Sequence, residues 1–191
     1  MNYMQNINGQ TGYVASNEMV RRSDYYSLLQ AAKEGDVIKI KRGLYTSEEE
    51  LSKQMIDTEK VVPGGVLCLY SAWFIHHLST QIPTEHCLAV RRGRKIVLPD
   101  YPPVKLYWWA ESAYSTGIIE MEIEEFSVKV YDMEKSVCDA VRFRNKIGID
   151  VCSEIVHAYL GKRERNIDKL MKYANVLRVG KTMKSYLEIL L

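Results

Sequence analysis

The sequence predicts an α+β chain in two parts, and three observations predict it. Residues 10–45 read as two short helices followed by a basic hairpin. Four runs between His86 and Tyr131 read as strands. From Asp132 onward the apolar spacing is helical to the end. Helices, then strands, then helices is the order of an α+β chain: a first helical unit, then a mixed α/β domain that ends in a helical bundle.

The 191 residues suffice for one large or two small domains, and 47% hydrophobic with 26% charged residues is an ordinary globular mix. That composition argues against disordered, coiled-coil and collagen-like chains. No apolar run reaches the roughly 18–20 residues of a membrane span, so no membrane partner is expected. Residues 1–6 carry neither a basic stretch nor an apolar block, so no signal peptide is expected. Cys68, Cys87, Cys138 and Cys152 lie far apart without a CxxC pair, which argues against a disulfide framework or a zinc knuckle. The expectation is a cytoplasmic protein with buried thiols and no cofactor.

In the N-terminal part, Ser16 or Asn17 can cap a short helix over residues 17–22. Ser23 can cap a second over 24–34, which Gly35 stops. Tyr25, Leu28, Leu29 and Ala32 fall at i, i+3, i+4 and i+7 and are expected to face a core. The opposite face presents Arg22, Ser23, Tyr26, Ser27, Gln30 and Lys33, beside Arg21 and without an acid. Such groups donate to phosphates or read base edges. Next, Lys39 and Lys41 alternate with Ile38 and Ile40, so one side of the strand is basic, and Arg42-Gly43 supplies the turn. Two helices joined tightly and followed by a basic hairpin is the order of a winged helix-turn-helix. Its helix would read the major groove of double-stranded DNA while Lys39, Lys41 and Arg42 hold phosphates. A protein-binding helical domain with a solvated face is the bland alternative.

A break near Thr46-Ser47 divides the chain into residues 1–46 and 47–191. Ser47 before Glu48-Glu49-Glu50 reads as an N-cap with acids in the first turn. Pro63-Gly64-Gly65 ends that region, and residues 66–78 are apolar on nearly all sides, predicting a buried helix. His86–Arg91, Val104–Trp109, Ile118–Ile123 and Phe126–Tyr131 read as strands. Net charge by segment is +2 over residues 1–46, −6 over 47–140 and +6 over 141–191. Basic ends of this kind suit a nucleic-acid partner or are simply solvated helix faces.

Catalytic patterns are missing. There is no GxGxxG, no GxxxxGK[ST] and no GxSxG. His76-His77 are adjacent and would point about 100° apart on a helix, which favours packing or capping over shared metal ligation. No acid stands two residues before a lysine, as a restriction-type nuclease would need. Glu120, Glu122 and Glu124 alternate with apolar residues and read as one solvated strand face. At least two of Tyr107, Trp108 and Trp109 are expected in the core. The reading is a binding protein, not an enzyme.

Several segments together resemble the AbiEi-type antitoxins, transcriptional regulators of abortive-infection toxin–antitoxin systems. They are Lys41-Arg42-Gly43-Leu44-Tyr45, Pro63-Gly64-Gly65-Val66, Tyr70-Ser71-Ala72 with His77-Leu78, and Ile82-Pro83. The strongest is Asp132-Met-Glu134-Lys-Ser-Val-Cys-Asp139-Ala-Val-Arg142, followed by Tyr173-Ala174 through Tyr186-Leu187-Glu188. The family's Arg-Thr before the Asp of the central helix reads Lys135-Ser136 here. The resemblance implies a winged helix that binds inverted repeats in its own promoter and represses it. It also implies a C-terminal domain that counters a nucleotidyltransferase-like toxin, in phage defence, without a stable complex. A repressor whose C-terminal part senses a ligand or dimerises, with no toxin, is the competing expectation.

Overall fold

The computed structural model describes residues 12–190; the leader expectation, which rests on residues 1–6, lies outside them. Among the described residues are nine α-helices and two sheets, a mixed α+β fold. The chain divides into two compact units. The first comprises Met1–Gly64, Lys95–Val104 and Glu122–Val128; the second comprises Gly65–Arg94, Lys105–Met121 and Lys129–Leu191. The expected break at Thr46 falls inside the first unit, which runs on through two short helices.

The first unit holds β1 (Val14–Ala15), α1 (Arg22–Glu34), β2 (Ile38–Lys41), β3 (Leu44–Thr46), α2 (Glu48–Leu51) and α3 (Thr58–Val61). Its antiparallel sheet has the order β1-β3-β2, with Val14 opposite Tyr45 and Ile38 opposite Thr46. Val14, Leu28, Ala31, Val37 and Tyr45 form a small core cluster beside α1, flanked by Met19 and Ala32. Gly35 stops α1 at φ 89°, a left-handed conformation open to glycine, and its N–H bonds the Ala31 carbonyl. Ser47 caps α2 as its sequence suggests, its Oγ accepting from the Glu50 N–H at 3.2 Å.

Four expectations for this unit need correction. The helix over 17–22 is one 3-10 turn, Ser16–Glu18. Met19 packs on the core, but Val20 is 88% exposed, so the segment offers one apolar contact and no helical stripe. α1 begins at Arg22 with Arg21 at its N-cap, and the Ser23 hydroxyl bonds Asp24 instead of capping. Its buried stripe is Leu28 and Ala31, while Tyr25 and Leu29 stand exposed. A three-stranded sheet of such short strands covers one narrow face of the helix. The β2 alternation also breaks: the register shifts between Lys39 and Lys41, so Ile40 is buried while Ile38 is exposed.

The second sheet has the order β6-β5-β4-β8-β7, formed by β4 (Val66–Leu67), β5 (His86–Arg91), β6 (Val104–Trp109), β7 (Ile118–Ile123) and β8 (Phe126–Tyr131). β4 runs antiparallel to β5 and parallel to β8. The four long strands have the expected bounds. The buried helix expected over 66–78 is instead β4 followed by α4 (Leu69–Ile75). After α5 (Glu111–Ser115) come α6 (Met133–Ile147), α7 (Ile149–Leu160), α8 (Ile167–Val176) and α9 (Gly180–Leu190). α6 is central: it packs on α4, α7, α8 and α9. Asp132 caps it, accepting from the Lys135 N–H at 2.9 Å. The Trp73 indole N–H donates to the Ser136 carbonyl at 2.9 Å, tying α4 to α6. All four cysteines are free and buried.

Candidate nucleic-acid interface and a buried ionic centre

The hypothesised DNA contacts lie on α1 and the β2–β3 hairpin. Arg21, Arg22, Ser23, Tyr26, Ser27, Gln30, Lys33, Lys39 and Arg42 are exposed. The Arg22 guanidinium lies over the Tyr26 ring, 5.8 Å from its centroid, and Tyr26 meets Tyr25 edge-on at 5.9 Å. These contacts hold the long Arg22 side chain along the helix face. The face is not free of acids: the Gln30 amide donates to Glu34 at 2.9 Å, because i and i+4 share a face.

Lys41 departs from the expectation. It is partly buried and its amine donates to the Val61 carbonyl at 2.5 Å. Burial lowers its pKa. This side chain braces the hairpin against the end of α3, and the exposed cations of the hairpin are Lys39 and Arg42. A cleft of about 710 Å³ opens beside them, between the Ser16–Glu18 turn, Lys41 to Leu44, and residues 57–63. Its charges are mixed: Glu18, Asp57 and Glu59 face Lys41, Arg42 and Lys60. The Lys60 amine donates to the Tyr13 carbonyl at 2.6 Å and pairs with Glu18 at 3.5 Å.

The second unit holds a buried ionic centre in which the partner of Asp139 is Lys135. Lys135 and Asp139 are both fully buried and paired at 2.6 Å. The Lys135 ammonium lies 4.1 Å from the ring centroids of both Trp109 and Tyr131. Burial raises the Asp139 pKa, and Lys135 opposes that shift. Among the described residues, Asp139 Oδ1 has no hydrogen-bond partner. Asp139 and Arg142 share a helix face at i, i+3, yet Asp139 takes Lys135, and exposed Arg142 lies over Trp109 and Phe143.

Around this pair, Lys169 bridges Asp132 at 3.0 Å and Glu134 at 3.1 Å. Burial pulls the Lys169 ammonium pKa down, and the two carboxylates more than offset it. The Tyr159 hydroxyl donates to Glu134 at 3.1 Å, and His76 Nε2 donates to the Tyr131 carbonyl at 2.6 Å. These bonds fasten the start of α6 to α7, α8 and the end of α4. Gly117 stands beside it at φ 76°, where an added Cβ would lie 2.7 Å from Lys135 Cβ. The rings that enclose Lys135 come from β6 and β8.

Trp109 is buried and Tyr107 packs at the core edge, while Trp108 is exposed. Glu120, Glu122 and Glu124 are exposed, as a solvated face requires. Among the described residues no three His, Cys, Asp or Glu side chains are placed to hold a metal ion, and no helix is long and apolar enough to cross a membrane. No protein-family model matches the chain, and no curated protein matches it.

Proposed function

We propose that the chain is a DNA-binding transcriptional regulator of the antitoxin type, acting in the cytoplasm without catalysis of its own. The observation that carries the DNA part is the exposed surface of α1 followed by the exposed cations of the hairpin. Arg22, Ser27 and Lys33 along the helix, with Lys39 and Arg42 beyond it, offer donors on neighbouring elements of one compact unit. The helix would enter the major groove and the hairpin would neutralise phosphates, as in a winged helix-turn-helix. The three-stranded sheet that closes on α1 is consistent with such a module. The antitoxin part follows from the resemblance: the second unit would counter a nucleotidyltransferase-like toxin without a stable complex.

The test uses the full chain and DNA from its own promoter, in a gel shift across a salt series. Arg22→Ala combined with Lys39→Ala and Arg42→Ala should abolish the shift at moderate salt. Each phosphate that the variant no longer neutralises should make the slope of log affinity on log salt shallower by about 0.9. Circular dichroism should be unchanged, since none of the three is buried. Unaltered affinity and slope would sink the DNA reading. Growth rescue on co-expression with the adjacent gene product tests the antitoxin part separately; DNA binding without rescue would favour a repressor that has no toxin partner.

A further inference from the structure

We propose that Cys68 and Cys87 form a redox-active dithiol that a hydroperoxide converts to a cross-strand disulfide. The register sets Val66 opposite Ala89 and Leu67 opposite Leu88. The next pair is therefore Cys68 and Cys87, and the Cys68 N–H donates to the Cys87 carbonyl at 2.9 Å. Opposed residues project from the same face of a sheet, and Val66, Cys68, Cys87 and Ala89 all line one core. A hydrogen-bonded antiparallel pair keeps its Cα atoms about 5.5 Å apart, inside the roughly 4.4–6.8 Å that a disulfide spans. In place of the reciprocal ladder bond, the Cys87 N–H donates to Ser71 Oγ at 2.9 Å. The thiols therefore sit at the end of the β4–β5 ladder, where one of the two bonds of the pair is replaced by a side chain.

The two sulfurs differ. Burial raises both thiol pKa values, Cys68 well above its ordinary value. At Cys87 burial and then Glu85 act upward, while the Tyr107 hydroxyl and the Ser71 backbone N–H donate to the sulfur and oppose them. These two donors stabilise the charge that develops on the Cys87 sulfur as it reacts, so Cys87 is the attacking group. Its sulfur attacks the peroxide O–O bond, forming the sulfenic acid and releasing hydroxide. The Cys68 sulfur then attacks the sulfenic sulfur, the S–S bond forms and a second hydroxide leaves. The two thiol protons combine with the two hydroxides. Two thiols and one hydrogen peroxide give one disulfide and two waters. Cys138 on α6 and Cys152 on α7 are buried as well, so burial alone does not separate the pairs; the cross-strand register does.

The experiment treats the reduced, folded full chain with hydrogen peroxide, blocks remaining thiols and maps unreduced peptides by mass spectrometry. The expected result is the loss of two alkylatable thiols and the appearance of a Cys68–Cys87 linked peptide, reversed by dithiothreitol. Cys138 and Cys152 should remain alkylatable once the protein is unfolded. Cys68→Ser should leave a sulfenic acid on Cys87 that dimedone captures, and Cys87→Ser should leave Cys68 unlabelled. Linkage only after unfolding in urea, sulfinic acid on Cys87 without linkage, or equal oxidation of all four cysteines would each overturn the proposal. The wild-type map decides it even if a serine variant does not fold.

Discussion

Arg22 and Tyr26 on α1, and Lys135 and Asp139 on α6, are both i, i+4 pairs that begin with a cation. On α1 the guanidinium lies over a ring that is itself 57% exposed. On α6 the ammonium is enclosed by two rings and a carboxylate. The spacing is the same and the environment is opposite. An exposed cation remains available to a partner and adds little to the fold. A buried one is consumed by the fold, and its worth depends on the completeness of its cage. The first unit thus presents charge outward from α1, and the second uses charge to hold α6 in place.

The largest break in this contrast should come from Asp139→Ala. It leaves the Lys135 ammonium buried without its carboxylate, at a cost of about 3–5 kcal/mol. Urea denaturation should show this as a large fall in the midpoint, whereas Arg22→Ala should leave the midpoint in place. Joint replacement, Lys135→Met with Asp139→Leu, should be closer to the wild type than Asp139→Ala alone, because no orphaned charge remains. A midpoint for Asp139→Ala equal to that of Arg22→Ala would refute the account of α6.

Two glycines sharpen the comparison on a smaller scale. Both Gly35, at the end of α1, and Gly117, beside α6, have positive φ. Among the described residues, an added Cβ at Gly35 meets nothing within 4 Å, so Gly35→Ala should cost only the left-handed penalty, about 1–2 kcal/mol. At Gly117 the same penalty applies and the Cβ also collides with Lys135. Gly117→Ala should therefore be the more destabilising of the two in the same denaturation assay. Equal effects would mean that Lys135 yields easily and that its cage is loose.

The smallest expected effect is one of pH. Burial holds the His76 pKa below its ordinary value, although the Tyr131 carbonyl, Asp132 and Glu134 favour the charged ring. The unfolded chain therefore binds a proton more readily than the folded one. Stability from this group is present above about pH 6.5 and is lost as pH falls through the folded-state value. Partly buried His86 acts in the same direction. The melting temperature should drop between pH 7 and 5, and His76→Gln should remove part of that drop. A pH-independent difference between the two proteins would refute it.

The long strands were legible as short apolar runs, and in β7 apolar alternation has no competing period. Ile118 to Ile123 shows this directly, with Glu120 and Glu122 on the solvated side. β4 was not legible: Val66 and Leu67 are buried on both faces, and their apolar run continues into α4 without a change of pattern. The orientation of α1 was obscured because Tyr25 and Leu29 count as apolar in a periodicity, while Ala31, which fills the core, counts for little. Of the proposed DNA contacts, Lys41 misled because a bulge breaks the β2 alternation, and a bulge leaves no mark in residue type. The enclosure of the ionic centre was hidden for a different reason. Lys135 and Asp139 are local to each other, but Trp109 and Tyr131 arrive from distant strands.

The enclosure of Lys135 also makes it a chemical reporter. Amine-acylating reagents reach exposed lysines such as Lys33, Lys39 and Lys184 directly in the native protein. They reach the Lys135 amine, which has no solvent-accessible side-chain surface, only in molecules whose α6 has come away from β6 and β8. When such opening is fast and reversible, the slow labelling of one amine measures the free energy of that opening. Mass spectrometry of a single peptide would then follow the stability of the second unit in mixtures too crowded or too dilute for spectroscopy.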